Sequence, residues 1–479
     1  MDDHSSFRHS AFTFKRPSLS PDDQVQDSCR SRVPPAMRWP LRLAALGLGL
    51  YLLLSDNLLV TLGIPYNVPG GAFPFKIHPG TYCIALGFVL LLRGNPWRQL
   101  CELFRLSPPL TSLALTTTVI MVYAAIQFGT SGTGFFIDTL LAPTLLGLLL
   151  LRAPVAQRQT LFWVALVLLS LNAVVGIGEA LAGKRLTPYM AGGEVLVEDF
   201  FRATSLGGHP LGNALRTSVM LFAALILPLN LRVPLILLFT IALLAFGSRA
   251  ALAISGLLLA LWAGARFMSD LNARRIEPPL ALGVAALALL APVVLVAIAA
   301  QLGLGERIVH EFRWDDSAQS RLLAFKIFDY ASPQELLWGM GPARIEWSLD
   351  QLKHSTILND IENFWILLLL QVGIIPFLFL AGALLSTLAS LAWRQPMPLR
   401  LAVLVFLVLT SSNNSLATKS QSLAILVAIM LGAAAVARCQ QAPQALQAPR
   451  TTLTVADTVP SRMGSRFRVL ARSRSRETH

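Results

Sequence analysis

The sequence predicts an all-α polytopic membrane protein, with about 12 transmembrane helices and a large extracytoplasmic loop between spans nine and ten. Three observations predict it. Of the 479 residues, 54% are hydrophobic and 14% charged, with a mean hydropathy of +0.60, whereas a soluble domain carries about 25% charged residues. The apolar residues fall in continuous runs close to the roughly 20 residues that cross a hydrocarbon core, and they lack the alternation of a membrane barrel. Lys and Arg recur at every second exit from these runs. A soluble globule is excluded.

Residues 1–40 mix Pro and Ser with Asp and Arg, and are too long and too charged ahead of Leu41 for an ordinary signal peptide. They read as a disordered cytoplasmic tail. The transmembrane domain, 41–437, begins with Leu43–Gly63, His78–Leu92, Leu110–Phe128 and Phe135–Leu151. It continues through Leu161–Leu181, Leu211–Leu229, Val233–Phe246, Ala250–Ala265 and Leu280–Ala300, and ends with Phe364–Leu391, Leu401–Ser415 and Leu423–Ala437. Arg93, Arg98 and Arg105 follow span two, Arg152 and Arg158 span four, Arg232 span six, Arg266, Arg274 and Arg275 span eight, and Arg394 and Arg400 span ten. The intervening turns, such as Pro65–Phe75 and Gly129–Gly134, are nearly free of basic residues, so both termini are expected on the cytoplasmic side of the membrane.

Residues 438–479 form a basic tail whose composition cannot bury enough apolar area to fold. It reads either as a topology anchor or as a segment drawn to anionic membrane lipids or nucleotide-bearing partners. The net charge of +13 sits mostly in the chain ends and short loops, so no nucleic-acid partner is expected. Cys29, Cys83, Cys101 and Cys439 are far apart, without CxxC spacing or companion histidines, and predict neither a disulfide framework nor a metal site.

Two outer loops, 182–208 and 301–361, are where water-phase chemistry has room. The longer one contains Ala318–Tyr330, whose apolar spacing is that of an amphipathic surface helix. Three arginines stand at outer ends of spans: Arg202 before span six, Arg249 in the turn between spans seven and eight, and Arg321 in the long loop. Ionisable groups beside hydrocarbon are costly unless paired or hydrated. Each arginine either snorkels or pairs locally, or the three converge as a pyrophosphate clamp, since a guanidinium fork matches phosphate oxygens. His209, at the start of span six, is a proton carrier or a hydrogen-bonded structural residue. Glu362, with Asn363 at the mouth of span ten, is a general base or a helix-terminal charge, and His354 is the second candidate base. Asp315 and Asp316 are a weak metal signal only.

The run Arg202-Ala-Thr-Ser-Leu-Gly-Gly-His209-Pro-Leu-Gly-Asn213, the turn Gly247-Ser-Arg249-Ala, the spacing from Asp316 to Arg321, and Gly339-Met-Gly341 followed by Glu362-Asn363 and Gly373 resemble the bacterial O-antigen ligase and O-antigen polymerase family, in its exopolysaccharide branch. The resemblance covers roughly Arg202 to Leu391. It implies a membrane glycosyltransferase, independent of metal and cofactor, that takes polyprenyl-pyrophosphate-linked glycan as donor. Arg202, Arg249 and Arg321 match the family's pyrophosphate-holding arginines, with His209 and Asn363 as further substrate-binding candidates. A flippase and a chain-length regulator are the implied protein partners. The departure is at the base, where ligases have His and this chain has Glu362 before Asn363. Either Glu362 or His354 takes that role, or the chemistry differs, and polymerase is favoured over ligase.

Overall fold

The computed structural model describes residues 33–68, 71–130, 132–191, 194–195, 200–273, 301, 323–353, 361, 363–412, 416 and 419–447. Its helices are α1 (Pro35–Leu53), α2 (Asp56–Thr61), α3 (Pro79–Leu91), α4 (Pro96–Leu106), α5 (Pro108–Phe128), α6 (Thr133–Arg152) and α7 (Val155–Ala182). They continue as α8 (Pro210–Ala224), α9 (Leu229–Ala245), α10 (Arg249–Asn272), α11 (Pro333–Trp338), α12 (Gly341–Lys353), α13 (Phe364–Val372), α14 (Ile374–Ala392), α15 (Met397–Ser412) and α16 (Ser422–Gln447). A hairpin of two-residue strands, β1 (Met190–Ala191) and β2 (Glu194–Val195), pairs antiparallel between α7 and α8.

Local chemistry sets the boundaries. Proline opens α1, α3, α4, α5 and α8 at positions where a helix has no use for its N–H. Ser55, Asn95, Ser248 and Asn363 cap α2, α4, α10 and α13 by accepting from backbone N–H groups of the first turn.

Among the described residues, six helices are long and apolar enough to cross a membrane: α5, α6, α7, α10, α14 and α16 through Gln440. Shorter apolar helices are α3, α9 and α15. The protein is therefore helical and membrane-embedded, and several expected spans differ in detail. The run Leu43–Gly63 is broken after Leu53, where Ser55 caps a new six-residue helix. Phe364–Leu391 is two helices divided at Gly373. Phe136–Leu141 is wound as a π-helix inside α6. Span nine and most of the long loop lie outside the described residues, as do both tails beyond 33 and 447. Against the expectation for the cysteines, Cys439 is disulfide-bonded, while Cys83 and Cys101 are free thiols.

The core lies around α8, which is buried along nearly its whole length and packed by α9, α15 and α16. Phe222, Phe239, Phe246, Phe364 and Phe406 are fully enclosed there. By contrast α5 and α10 expose Val119, Ile126, Leu257 and Leu261, as helices facing hydrocarbon do. The described part of the long loop has its own small core of Ala324, Ile327, Met340, Ile345 and Leu352, continued by Ile366 and Leu370 of α13. This docking depends on Gly373, whose φ of 85° belongs to the left-handed region. A Cβ there would lie 2.4 Å from the Gly339 nitrogen. The glycines at 339 and 373 thus serve the seating of the loop on the break between α13 and α14.

The bundle has two chemically different ends. At one, Arg152 of α6 pairs with Glu102 of α4 at 2.8 Å, and Gln159 donates to the Ala435 carbonyl. The other end, where α3, α6, α8, α10, α13 and α16 begin, gathers the buried polar groups.

Candidate functional site

Two adjoining polar clusters occupy that second end. The first is built on the loop leading into α8. Glu179, near the end of α7 and 6% exposed, accepts from the backbone N–H groups of Leu186, Thr204 and Ser205 at 2.6, 2.9 and 2.8 Å. Its carboxylate is consumed in folding the loop. Asn172 accepts from the Gly207 N–H at 3.2 Å, and Asn213 donates to the Thr204 carbonyl at 2.5 Å. Gly208 has φ 75°, and a Cβ there would lie 2.7 Å from Asp56 Oδ1. Only glycine lets the loop press this closely onto the start of α2, where Asn57 donates to the Gly208 carbonyl at 2.6 Å.

Arg216 lies beneath this loop, two turns into α8 and 7% exposed. Its Nε donates to Ser422 Oγ at 3.3 Å and its Nη2 to Gln421 Oε1 at 3.1 Å, both neutral acceptors at the start of α16. Asp56 is near enough to interact with it electrostatically, without a direct ion pair. A buried cation held by neutral groups is expensive. Such residues inside membrane helices mark binding sites and pathways.

Arg202 and His209, two of the residues expected from sequence, lie close to this loop. Arg202 lies over the α9–α10 turn: a Cβ at Gly247 would lie 3.0 Å from its Cγ, and the Ala203 N–H donates to the Ala245 carbonyl at 3.1 Å. Arg249, two residues beyond Gly247, is therefore brought to the same corner of the bundle. His209 stands at the N-terminal boundary of α8 without a side-chain capping bond and shares a 3.1 Å hydrogen bond with the Tyr189 hydroxyl. Burial, and then the charges of Arg202 and Arg216, push its pKa down to about 3, so it is neutral at physiological pH. Arg185 joins the group, donating to the Arg202 carbonyl at 3.0 Å and lying over the Tyr189 and Phe201 rings. Arg185 and Arg202 of the α7–α8 connection, Arg216 of α8 and Arg249 at the start of α10 thus all stand at this end of the bundle.

The second cluster surrounds Asp138, fully buried in the π-helical turn of α6. It accepts from Thr81 Oγ1 at 2.6 Å, Tyr66 Oη at 2.7 Å and the His78 N–H at 3.1 Å. His78 receives the Gly80 N–H on Nδ1 at 3.0 Å and approaches the Leu54 carbonyl through Nε2 at 2.8 Å, which fixes a neutral ring with its proton on Nε2. Lys419 donates to the carbonyls of Tyr66 and Lys76 at 2.8 and 3.0 Å. Burial brings it down to about 8, against the pull of Asp138. Ser420 links the clusters: its N–H donates to Thr139, and its hydroxyl meets that of Ser422, the partner of Arg216.

Asn363 does not join them. Its Oδ1 accepts from the N–H groups of Trp365 and Ile366 at 2.9 and 3.2 Å, so it is the N-cap of α13. Arg321, His354 and Glu362 lie outside the described residues. Arg216, Asp138 and Lys419 are additions to the sequence-derived set, and a charge inside an otherwise apolar span is the signal that marks the first two. Among the described residues no group of three or more His, Cys, Asp or Glu gathers where a metal could be held. Comparison of the sequence with models of known protein families and with curated proteins finds no match.

Proposed function

We propose that this protein is a membrane glycosyltransferase of the polymerase type, joining polyprenyl-pyrophosphate-linked glycan repeat units on the extracytoplasmic side of a bacterial cytoplasmic membrane. The observation that carries the reading is Arg216, a buried guanidinium whose hydrogen-bond partners among the described residues are neutral, grouped with Arg185, Arg202 and Arg249 at one end of the bundle. A diphosphate would bring negative charge to this cluster of cations, and guanidinium forks fit its oxygens.

In the reaction, an acceptor sugar hydroxyl attacks the anomeric carbon of the donor glycan. A new C–O bond forms as the bond from that carbon to polyprenyl pyrophosphate breaks. The hydroxyl proton passes to Glu362 or His354, and charge accumulates on the departing diphosphate. Arginines already oriented by Ser422, Gln421 and the loop before α8 favour that developing charge over the ground state. A cavity of about 680 Å³ beside the end of α5 includes Tyr123 and Trp338, whose rings are 6.5 Å apart. Such faces, with Gln127 and Glu335 beside them, suit the mixed apolar and polar surfaces of sugars.

The helix break at Gly373 favours one competitor, a lipid-linked glycan transporter, because interrupted helices line many transport sites. Transfer of the glycan to a different acceptor is the ligase form of the same chemistry. Purified protein reconstituted with lipid-linked repeat units distinguishes them. Glycans lengthened by whole repeats are expected. Relocation across the bilayer without extension would replace the proposal by the transporter, and neither activity would remove both.

A further inference from the structure

At the opposite end of the bundle, a cavity of about 620 Å³ opens where the α4–α5, α6–α7 and α14–α15 junctions meet α16. Arg158, Arg394 and Arg438 line it, with Leu151, Trp393 and Met430 among its apolar wall, and among the described residues no Asp or Glu contributes. The Nε of Arg158 is buried and has no hydrogen-bond partner among the described residues. Arg158 and Arg438 are close enough to repel each other, and none of the three arginines pairs with a carboxylate among the described residues. Arg394 is held in the left-handed region, at φ 58°, although it is not glycine. Like charges drawn from α7, α16 and a tight turn, beside unoccupied apolar walls, call for a ligand with both a phosphate and hydrocarbon. A freely soluble phosphate would leave the Leu, Met and Trp surfaces unused.

We propose that this cavity binds the headgroup of an anionic phospholipid, with Arg158, Arg394 and Arg438 holding the phosphate and the acyl chains lying along Leu151, Trp393 and Met430. Basic pockets between membrane helices favour such lipids, and each arginine near the surface contributes about five-fold in affinity at roughly 1 kcal/mol. This inference is independent of the reaction proposed for the other end.

The test uses the full chain in detergent, titrated with cardiolipin, phosphatidylglycerol or phosphatidylcholine and followed by native mass spectrometry. Bound anionic lipid is expected at concentrations at least ten-fold below those for phosphatidylcholine. The Arg394→Gln/Arg438→Gln variant, changed only at exposed side chains, is expected to weaken that binding about 25-fold. Phosphatidylglycerol with brominated tails should quench the fluorescence component that is absent in Trp393→Phe. Equal affinity for phosphatidylcholine, unchanged binding by the double variant, or the same quenching in Trp393→Phe would each overturn the assignment. Competition by glycerol phosphate as strong as by the lipid would show a site for soluble phosphate instead.

Discussion

Replacing Arg216 with Met removes the charge while keeping most of the side-chain volume, and it separates a functional arginine from a structural one. Two hydrogen bonds disappear with the guanidinium, at 3.3 Å to Ser422 and 3.1 Å to Gln421. Hydrogen bonds involving a charged group contribute about 1.5–3 kcal/mol each, and these are long, so roughly 3 kcal/mol is forfeited. Against this, methionine is relieved of the several kcal/mol that a buried guanidinium costs in desolvation. The two effects nearly cancel, and Arg216→Met is expected to unfold within about 2 kcal/mol of the parent. Its activity is another matter: removing one preorganised donor to a developing anion costs about 10²- to 10³-fold in rate. Chain elongation by reconstituted protein, measured beside a denaturation midpoint, reads both quantities. Elongation at the parental rate would refute the assignment of Arg216 to the diphosphate. A stability loss of about 3–5 kcal/mol, restored by adding Asp56→Asn, would make Arg216 a counterion for Asp56 instead.

Three further outcomes follow from the geometry. His209 has a folded pKa near 3, below the ordinary 6.5, so the unfolded chain binds its proton first as pH falls. Stability should therefore decline from pH 6.5 downward, by at most about 1.4 kcal/mol per pH unit from this histidine, and a His209→Gln variant with an unchanged slope would contradict this. Gly373→Ala adds a Cβ 2.4 Å from the Gly339 nitrogen at a positive φ; beyond the roughly 1–2 kcal/mol of backbone strain it should unseat the loop, read as faster proteolysis near α11 and α12. Asn363→Ala removes the α13 cap and should cost about 0.5–2 kcal/mol in stability, and a rate loss of 10²-fold without that cost would return Asn363 to the substrate.

The membrane bundle is legible in the sequence because hydrocarbon imposes a length and forbids unpaired backbone, so apolar runs and their basic exits carry the signal. The breaks are less legible. Val372-Gly373-Ile374 reads as one continuous apolar stretch, and only the contact of Gly373 with the backbone of 337–339 explains the division of the helix. The corner shared by Arg202, His209 and Arg249 follows from span ends lying on one side. The neighbours of Arg216 could not be read in that way, because Gln421 and Ser422 lie more than 200 residues from it. Asp138 is likewise visible as a lone carboxylate in an apolar run, yet its donors come from Tyr66, His78 and Thr81, which no local spacing connects.

The identity of the groups that hold Arg216 leads to the most discriminating substitution. Ser422 and Gln421 orient the guanidinium without neutralising it, and Asp56 is occupied by the Asn57 N–H and the Asn67 side chain at 2.9 and 3.1 Å. Gln421→Glu keeps shape and places a carboxylate where an oxygen already lies 3.1 Å from Nη2. The Coulomb attraction of such a pair is about 4 kcal/mol at an effective dielectric near 20. That interaction competes directly with an incoming diphosphate. If positive charge at Arg216 is what the site offers, the variant should fold at least as well as the parent, with Arg216 unmoved, and yet lose elongation by about 10²-fold or more. If Arg216 only ties α8 to α16, the stronger tie should leave elongation intact, and that result would move the diphosphate away from this end of α8.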